Sequence, residues 1–151
     1  MNKVEFLNQY GHLIGTHFNI HYFLGNSDIR IINTNIAFVE LLNFYVPRSS
    51  KDGVYDPRPF EDRVVDLSSE PVRLETVRSE PAKWDLLTRK IPPLLKPIPI
   101  ATDTTINCSL ILDSNHLLAN IKDLEKSIAV IRIIGPNLEN LVSDFKIIKQ
   151  E

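Results

Sequence analysis

The chain has 151 residues, of which 43% are hydrophobic and 24% charged, and a formal net charge of -2. The composition excludes a disordered chain, and the length is too small for two independent cores. The net charge predicts no broad cationic surface for nucleic acid. One cysteine excludes an internal disulfide. Because there is neither an apolar leader nor a run of about 18 apolar residues, we expect no membrane insertion and a location in the cytoplasm or another reducing intracellular compartment.

Residues 1–46 are the first of three segments of unlike composition. Apolar residues at helical spacing predict a helix over about residues 3–14. From His17 onward apolar and polar residues alternate, and the turn sequence GNSD follows, which predicts a β-hairpin over about residues 17–33. Asparagine and threonine at 33–35 are suitable N-caps for a second helix, which Pro47 would end.

Two histidines, His17 and His21, lie four residues apart in the predicted hairpin. On a strand they would share a face but lie about 13 Å apart, which is too far for both to bind one metal ion. On a helix the same spacing would bring them within reach of one ion, although no Asp, Glu or Cys nearby supplies a third ligand. We interpret the pair as a solvated or interfacial strand face, with a metal site or a catalytic face as the alternatives.

Residues 47–102 are rich in proline and arginine. Nine of the ten prolines and six of the eight arginines of the chain lie in this segment. Proline fixes φ and removes a backbone donor, so long helices and central strands are not expected there. Because the segment also contains many large apolar residues, we predict an extended arm that packs on its own body, on another copy or on a partner.

The arm contains the residues that we predict to bind a partner. Tryptophan, tyrosine and arginine are enriched at the energetic centres of protein interfaces. The candidates are Tyr55, Phe60, Arg73, Arg78, Trp84, Leu87 and Arg89. Intramolecular packing is one alternative. Binding of single-stranded nucleic acid by stacking on Trp84 is another, although acidic residues in the same segment nearly balance the basic ones.

Residues 103–151 have the pattern of a β-α-β-α unit. Apolar runs predict strands at 106–112 and 128–134, each followed by a helix. A crossover of about a dozen residues between the strands favours parallel, right-handed pairing. Cys108 falls on the apolar face of the first strand, so we predict core packing for it; a nucleophilic role, which would need a nearby histidine, is the alternative.

Parallel strands would bring two polar turns to the same edge of the sheet. Such edges bind ligands in open α/β sheets, and the N-termini of helices attract anions. The ligand-binding candidates are Asp113, Ser114, Asn115, His116 and Asn137. Neither turn is rich in glycine, and helix capping alone is the alternative role of these residues.

We therefore expect one α+β domain over residues 1–151, with a mixed sheet built from an N-terminal helix–β-hairpin–helix and the C-terminal β-α-β-α unit, interrupted by the arm. No catalytic signature, cofactor or metal site is predicted. The leading hypothesis is a non-catalytic subunit or adaptor that binds a protein partner or sister subunits through the arm. A small enzyme or anion-binding protein using the strand ends, and a nucleic-acid binder around Trp84, are the alternatives.

Overall fold

A computed structural model describes residues 1–11, 18–46, 57–61, 97–113, 118 and 123–149. Within these ranges lie strands β1 Arg30–Ala37, β2 Tyr45–Val46, β3 Arg58–Pro59, β4 Ile98–Asp103, β5 Cys108–Ile111 and β6 Ser127–Gly135. The helices are α1 Lys3–Gln9, α2 Ile20–Gly25, α3 Phe38–Leu41 and α4 Asp144–Lys149, with a short 3₁₀-helix at Leu138–Asn140.

The strands form one mixed sheet in the order β1-β6-β4-β5-β2-β3. β6 runs parallel to β4, and β2 runs parallel to β5, whereas the other neighbours are antiparallel. Helices and a mixed sheet in one unit confirm the predicted α+β class.

The sheet separates two apolar cores. Along β6, Ile131 and Ile133 belong to the core on one face, and Ile128 and Val130 to the core on the other. Burial on both faces explains why the sequence of β6 is an almost unbroken apolar run without polar alternation. The strand predicted at 128–134 is thereby confirmed, as is the strand predicted at 106–112, which contains β5.

Aromatic side chains fill the core beneath α1 and α2. The ring of Phe6 stacks on Tyr10 at 4.8 Å between centroids and meets Phe23 edge-on at 5.6 Å. The Tyr10 hydroxyl donates to the Pro97 carbonyl at 2.6 Å, which joins the end of α1 to the start of β4. Burial, and then the charge of Asp113, raise the pKa of Tyr10, so this donor stays protonated.

The predicted β-hairpin over residues 17–33 is wrong. Residues 20–25 form α2, because the Asn19 side chain accepts a hydrogen bond from the Tyr22 N–H at 3.0 Å and caps the helix. Phe23 is the fully buried residue of this helix, whereas His21 is exposed. Short apolar alternation fits a single amphipathic turn as well as a strand, and the cap residue decides between them.

The second predicted helix is also shorter than expected. β1 continues through Ala37, and α3 comprises four residues, Phe38–Leu41. β1 is in register with β6 at all eight of its positions and hydrogen-bonds to it at alternate residues, and this pairing outweighs the capping potential of its asparagines.

Both described ends of the predicted arm belong to the body of the protein. Phe60 is fully buried and packs edge-on against Phe38 at 6.1 Å, and β4 lies at the centre of the sheet. The Pro99 carbonyl accepts from the Leu112 N–H at 2.9 Å, and Leu112 follows the last residue of β5. The N–H that proline lacks would therefore face a position outside β5, which is why Pro99 is tolerated in β4. Residues 62–96 of the arm lie outside the described ranges.

The predicted parallel pairing of the two C-terminal strands is wrong. β4, from the end of the predicted arm, lies between them and is parallel to β6 but antiparallel to β5. β5 and β6 therefore run in opposite directions. Of the predicted helix between them, Leu118 is described and is fully buried. After β6 the chain forms two short helical segments in place of one, with Asn137 in the left-handed region at φ 53° before the first.

Candidate functional site

The outer edge of β1 is the longest free edge among the described strands. β1 lies at one end of the sheet and pairs with β6 at eight consecutive positions, from Arg30 opposite Ile134 to Ala37 opposite Ser127. The register contains no bulge, so the edge is regular along its whole length. Side chains 32–35 are exposed, including 38% of Ile32.

The hydrogen-bond pattern shows which backbone groups of β1 face outward. The Phe38 N–H, one position after β1, donates to the Lys126 carbonyl at 2.8 Å, so at this position the backbone of the chain faces β6. Hydrogen-bonded and non-bonded pairs alternate in antiparallel strands. Thr34 therefore bonds to β6, and the N–H and C=O groups of the odd-numbered residues of β1 point away from the sheet, those of Asn33 and Asn35 among them.

Devices that normally protect an edge strand are missing from β1. Proline, lysine, inward-pointing charge and bulges prevent one edge from pairing with another. The one charged residue of β1 is Arg30, at its first position. This edge is a suitable template for a further strand.

The centre of β1 has a palindromic sequence. Residues 32–36 read Ile-Asn-Thr-Asn-Ile, which is the same in both directions. If a second copy pairs antiparallel with Thr34 on the twofold axis, Ile32 lies opposite Ile36 of that copy, and Asn33 lies opposite its Asn35. Like side chains then meet on each face, as an isologous interface requires.

Of the predicted partner-binding residues, the structure describes Phe60. Phe60 has no exposed surface, so it belongs to the core and its prediction as a partner contact is wrong. The other six candidates lie outside the described ranges: Tyr55, Arg73, Arg78, Trp84, Leu87 and Arg89.

Of the predicted ligand site at the strand ends, the two described residues, Asp113 and Asn137, do not come together. β5 ends next to the middle of β4, at Ile100, whereas β6 ends at Gly135 beside Asp103. Asp113 and Asn137 consequently follow strands that end at opposite ends of the sheet. The remaining candidates, Ser114, Asn115 and His116, and also His17, lie outside the described ranges. The exposed Asn137 is part of a turn, where its N–H donates to the Thr105 hydroxyl at 3.2 Å.

The described residues form neither a metal site nor an activated cysteine. Within the described ranges no group of three or more His, Cys, Asp or Glu is positioned to hold a metal ion. Burial, and then the charge of Asp103, raise the pKa of Cys108 to about 11. Cys108 is therefore a neutral thiol near pH 7, which is not the state of a catalytic nucleophile.

This raised pKa predicts slow alkylation of Cys108. At pH 8 we expect the folded protein to react with iodoacetamide on the order of a hundredfold more slowly than an unperturbed cysteine, because so little thiolate is present. The same chain in 8 M urea serves as the control and should react at the ordinary rate. Equal rates in the folded and unfolded states would contradict the assignment of a protected thiol.

No protein-family model matches the chain, and comparison with curated proteins and with solved structures found no significant similarity. None of the described helices combines the length and apolar composition needed to cross a bilayer.

Sequence reasoning did not identify the edge of β1. The palindrome at 32–36 is visible in the sequence, but the residue pattern predicts a hairpin up to residue 33 and a helix after it. A palindrome indicates self-pairing only when its residues are known to form a strand at the edge of a sheet.

Proposed function

We propose that the protein is a non-catalytic subunit of a protein assembly and that it joins a second copy through the outer edge of β1. The observation that supports this function best is a regular edge of eight residues, with a palindromic centre, that pairs with no further strand in the described part of the chain. Association by strand addition uses backbone hydrogen bonds for affinity and alternate side chains for register.

The geometry of this pairing follows from the outward-facing groups. With Thr34 on the twofold axis, Asn33 and Ile31 lie opposite Asn35 and Ala37 of the second copy, and the reverse pairs follow by symmetry. These four pairs would exchange about eight backbone hydrogen bonds. The two Thr34 residues form a non-bonded pair with their Cα atoms about 4.5 Å apart.

The arm remains a second predicted contact of the same assembly. Its aromatic and arginine residues have the composition of an interface, and the ends of residues 47–102 are anchored in the sheet by β3, Phe60 and β4. We propose that the arm extends the interaction to a partner or sister subunit. Its candidate residues are separate from the edge of β1, so each contact can be tested alone.

Sedimentation equilibrium of the full chain tests the proposal. We expect a concentration-dependent dimer that Asn35→Pro abolishes, because proline removes an outward N–H and places its ring where the second copy would pair. That N–H does not bond to β6, so the fold should survive. Asn35→Val is the matched control: it keeps the N–H and should still dimerise.

Cysteine cross-linking tests the register of the two strands. In a Cys108→Ser background, Thr34→Cys should form an intermolecular disulfide on mild oxidation, because its Cα separation suits one. Asn33→Cys should not, because residues 33 of the two copies lie diagonally, about 8 Å apart. A wild-type chain that stays monomeric at high concentration, or equal cross-linking of both variants, would contradict self-pairing through β1.

A further inference from the structure

A second feature of the molecule is a cavity at one end of the sheet. It has a volume of about 550 Å³, within the range of small-molecule sites, and lies where β4, β5 and β6 meet the chain before β2. Its wall includes Asn43, Phe44, Thr102, Asn107, Ser109 and Arg132.

Arg132 crosses the sheet to reach this cavity. It belongs to β6, and its side chain extends over β4 to β5, donating from Nη2 to the Thr102 hydroxyl at 2.8 Å and to the Ser109 hydroxyl at 3.3 Å. Nε donates to Thr102 as well, at 3.3 Å. The guanidinium carbon lies 5.7 Å from the centre of the Phe44 ring, in the range of a cation–π contact. The side chain is therefore held in place before any ligand arrives.

The hydrogen bonds of this cluster leave donors unused. A guanidinium has five N–H groups, and the two on Nη1 have no acceptor within the described part of the chain. Thr102 and Ser109 share one hydroxyl proton in a bond of 2.8 Å, so the proton of the other hydroxyl is also available. Three donors thus remain for an acceptor in the cavity.

Among the described residues, no neighbour balances the charge of Arg132. Its hydrogen-bond partners in the described part of the chain are neutral, and none of the described residues that line the cavity is acidic. The second cation of the wall, Lys149, makes an exposed ion pair with Glu139 at 3.5 Å. A half-buried guanidinium with neutral partners has lost hydration without gaining a counter-charge, and an anion in the cavity would supply it.

We infer that this cavity binds the phosphate group of a small organic molecule. A phosphate accepts hydrogen bonds from several directions, which matches an arginine, a hydroxyl, an ammonium and the amides of Asn43 and Asn107 arranged around one space. A carboxylate has two acceptor oxygens in one plane and would leave more of these donors unpaired. The volume exceeds that of the phosphate ion alone, so part of the cavity is left for the organic group.

Isothermal titration of the full chain with inorganic phosphate, adenosine 5′-monophosphate and succinate tests this inference. We expect saturable binding of both phosphate probes, tighter for the mononucleotide, and weaker binding of succinate. Arg132→Met should lower the affinity for the mononucleotide at least tenfold, whereas Arg132→Lys should retain part of it. Lys126→Met, which removes one positive charge from an exposed residue outside the cavity, should leave it unchanged.

Circular dichroism of each variant separates loss of binding from loss of the fold. Absence of saturable binding by both phosphate probes to the wild-type chain would overturn the inference, as would equal affinity in a folded Arg132→Met variant. Succinate binding more tightly than either phosphate probe would overturn the choice of phosphate. None of these outcomes bears on pairing through β1, because the cavity and that edge use different residues.

Discussion

Replacing Phe60 by alanine is expected to lower the free energy of unfolding by about 3–5 kcal/mol. The side chain has no exposed surface, and its ring meets Phe38 edge-on. Its backbone N–H also donates to the Phe44 carbonyl at 2.8 Å, which holds the segment against the chain before β2. The alanine variant would leave a cavity that this rigidly attached segment cannot close. Urea unfolding followed by circular dichroism measures the change.

Leu24→Ala is the control for Phe60→Ala. Leu24 is 47% exposed, so its truncation should cost less than about 1 kcal/mol. If Phe60→Ala lowers the free energy of unfolding no more than Leu24→Ala does, residues 57–61 detach from the core without cost. The predicted arm would then begin at Pro47. A large loss places the beginning of the arm after Glu61.

The strands that could be predicted are those whose own sequence is apolar enough to indicate burial on both faces. β6 and β5 are apolar runs with both faces covered, and nothing nearby in sequence competes with that pattern. β4 was hidden because two prolines, Pro97 and Pro99, argue against a central strand. The structure accommodates Pro99 by directing its missing donor past the end of β5, and that arrangement exists only in three dimensions.

The misplaced ligand site has the same cause. Parallel pairing of β5 and β6 was the natural inference from a short crossover, and the insertion of β4 between them reverses the direction of β5 relative to β6. The position of β4, which the sequence places in the arm, thus decides whether the turns after β5 and β6 lie at the same end of the sheet. The role of Arg132, the single charge in an apolar run, could not be predicted either, because its hydrogen-bond partners come from β4 and β5.

Removal of the Asp103 side chain is expected to have the second largest effect, a loss of about 2–4 kcal/mol in Asp103→Ala. The carboxylate is 1% exposed, and each oxygen accepts one backbone hydrogen bond, from Thr105 at 2.8 Å and from Leu138 at 3.0 Å. It thereby fixes the turn after β4 and the first residue of the 3₁₀-helix. Alanine leaves both N–H groups without an acceptor, and chemical denaturation measures the cost.

Asp103→Asn separates the hydrogen bonds of this residue from its charge. The amide keeps one acceptor oxygen, so the loss of stability should be smaller, about 1–2 kcal/mol. The negative charge is absent from both variants, and this charge is one cause of the raised pKa of Cys108. Alkylation of the folded protein at pH 8 should therefore become faster in both, because more thiolate is present. Faster alkylation in Asp103→Ala alone would show that local opening exposes the thiol, and the electrostatic coupling between Asp103 and Cys108 would then be refuted. An equal gain in both variants, with unequal stability, would establish that one buried carboxylate both holds the turn and keeps the neighbouring thiol protonated.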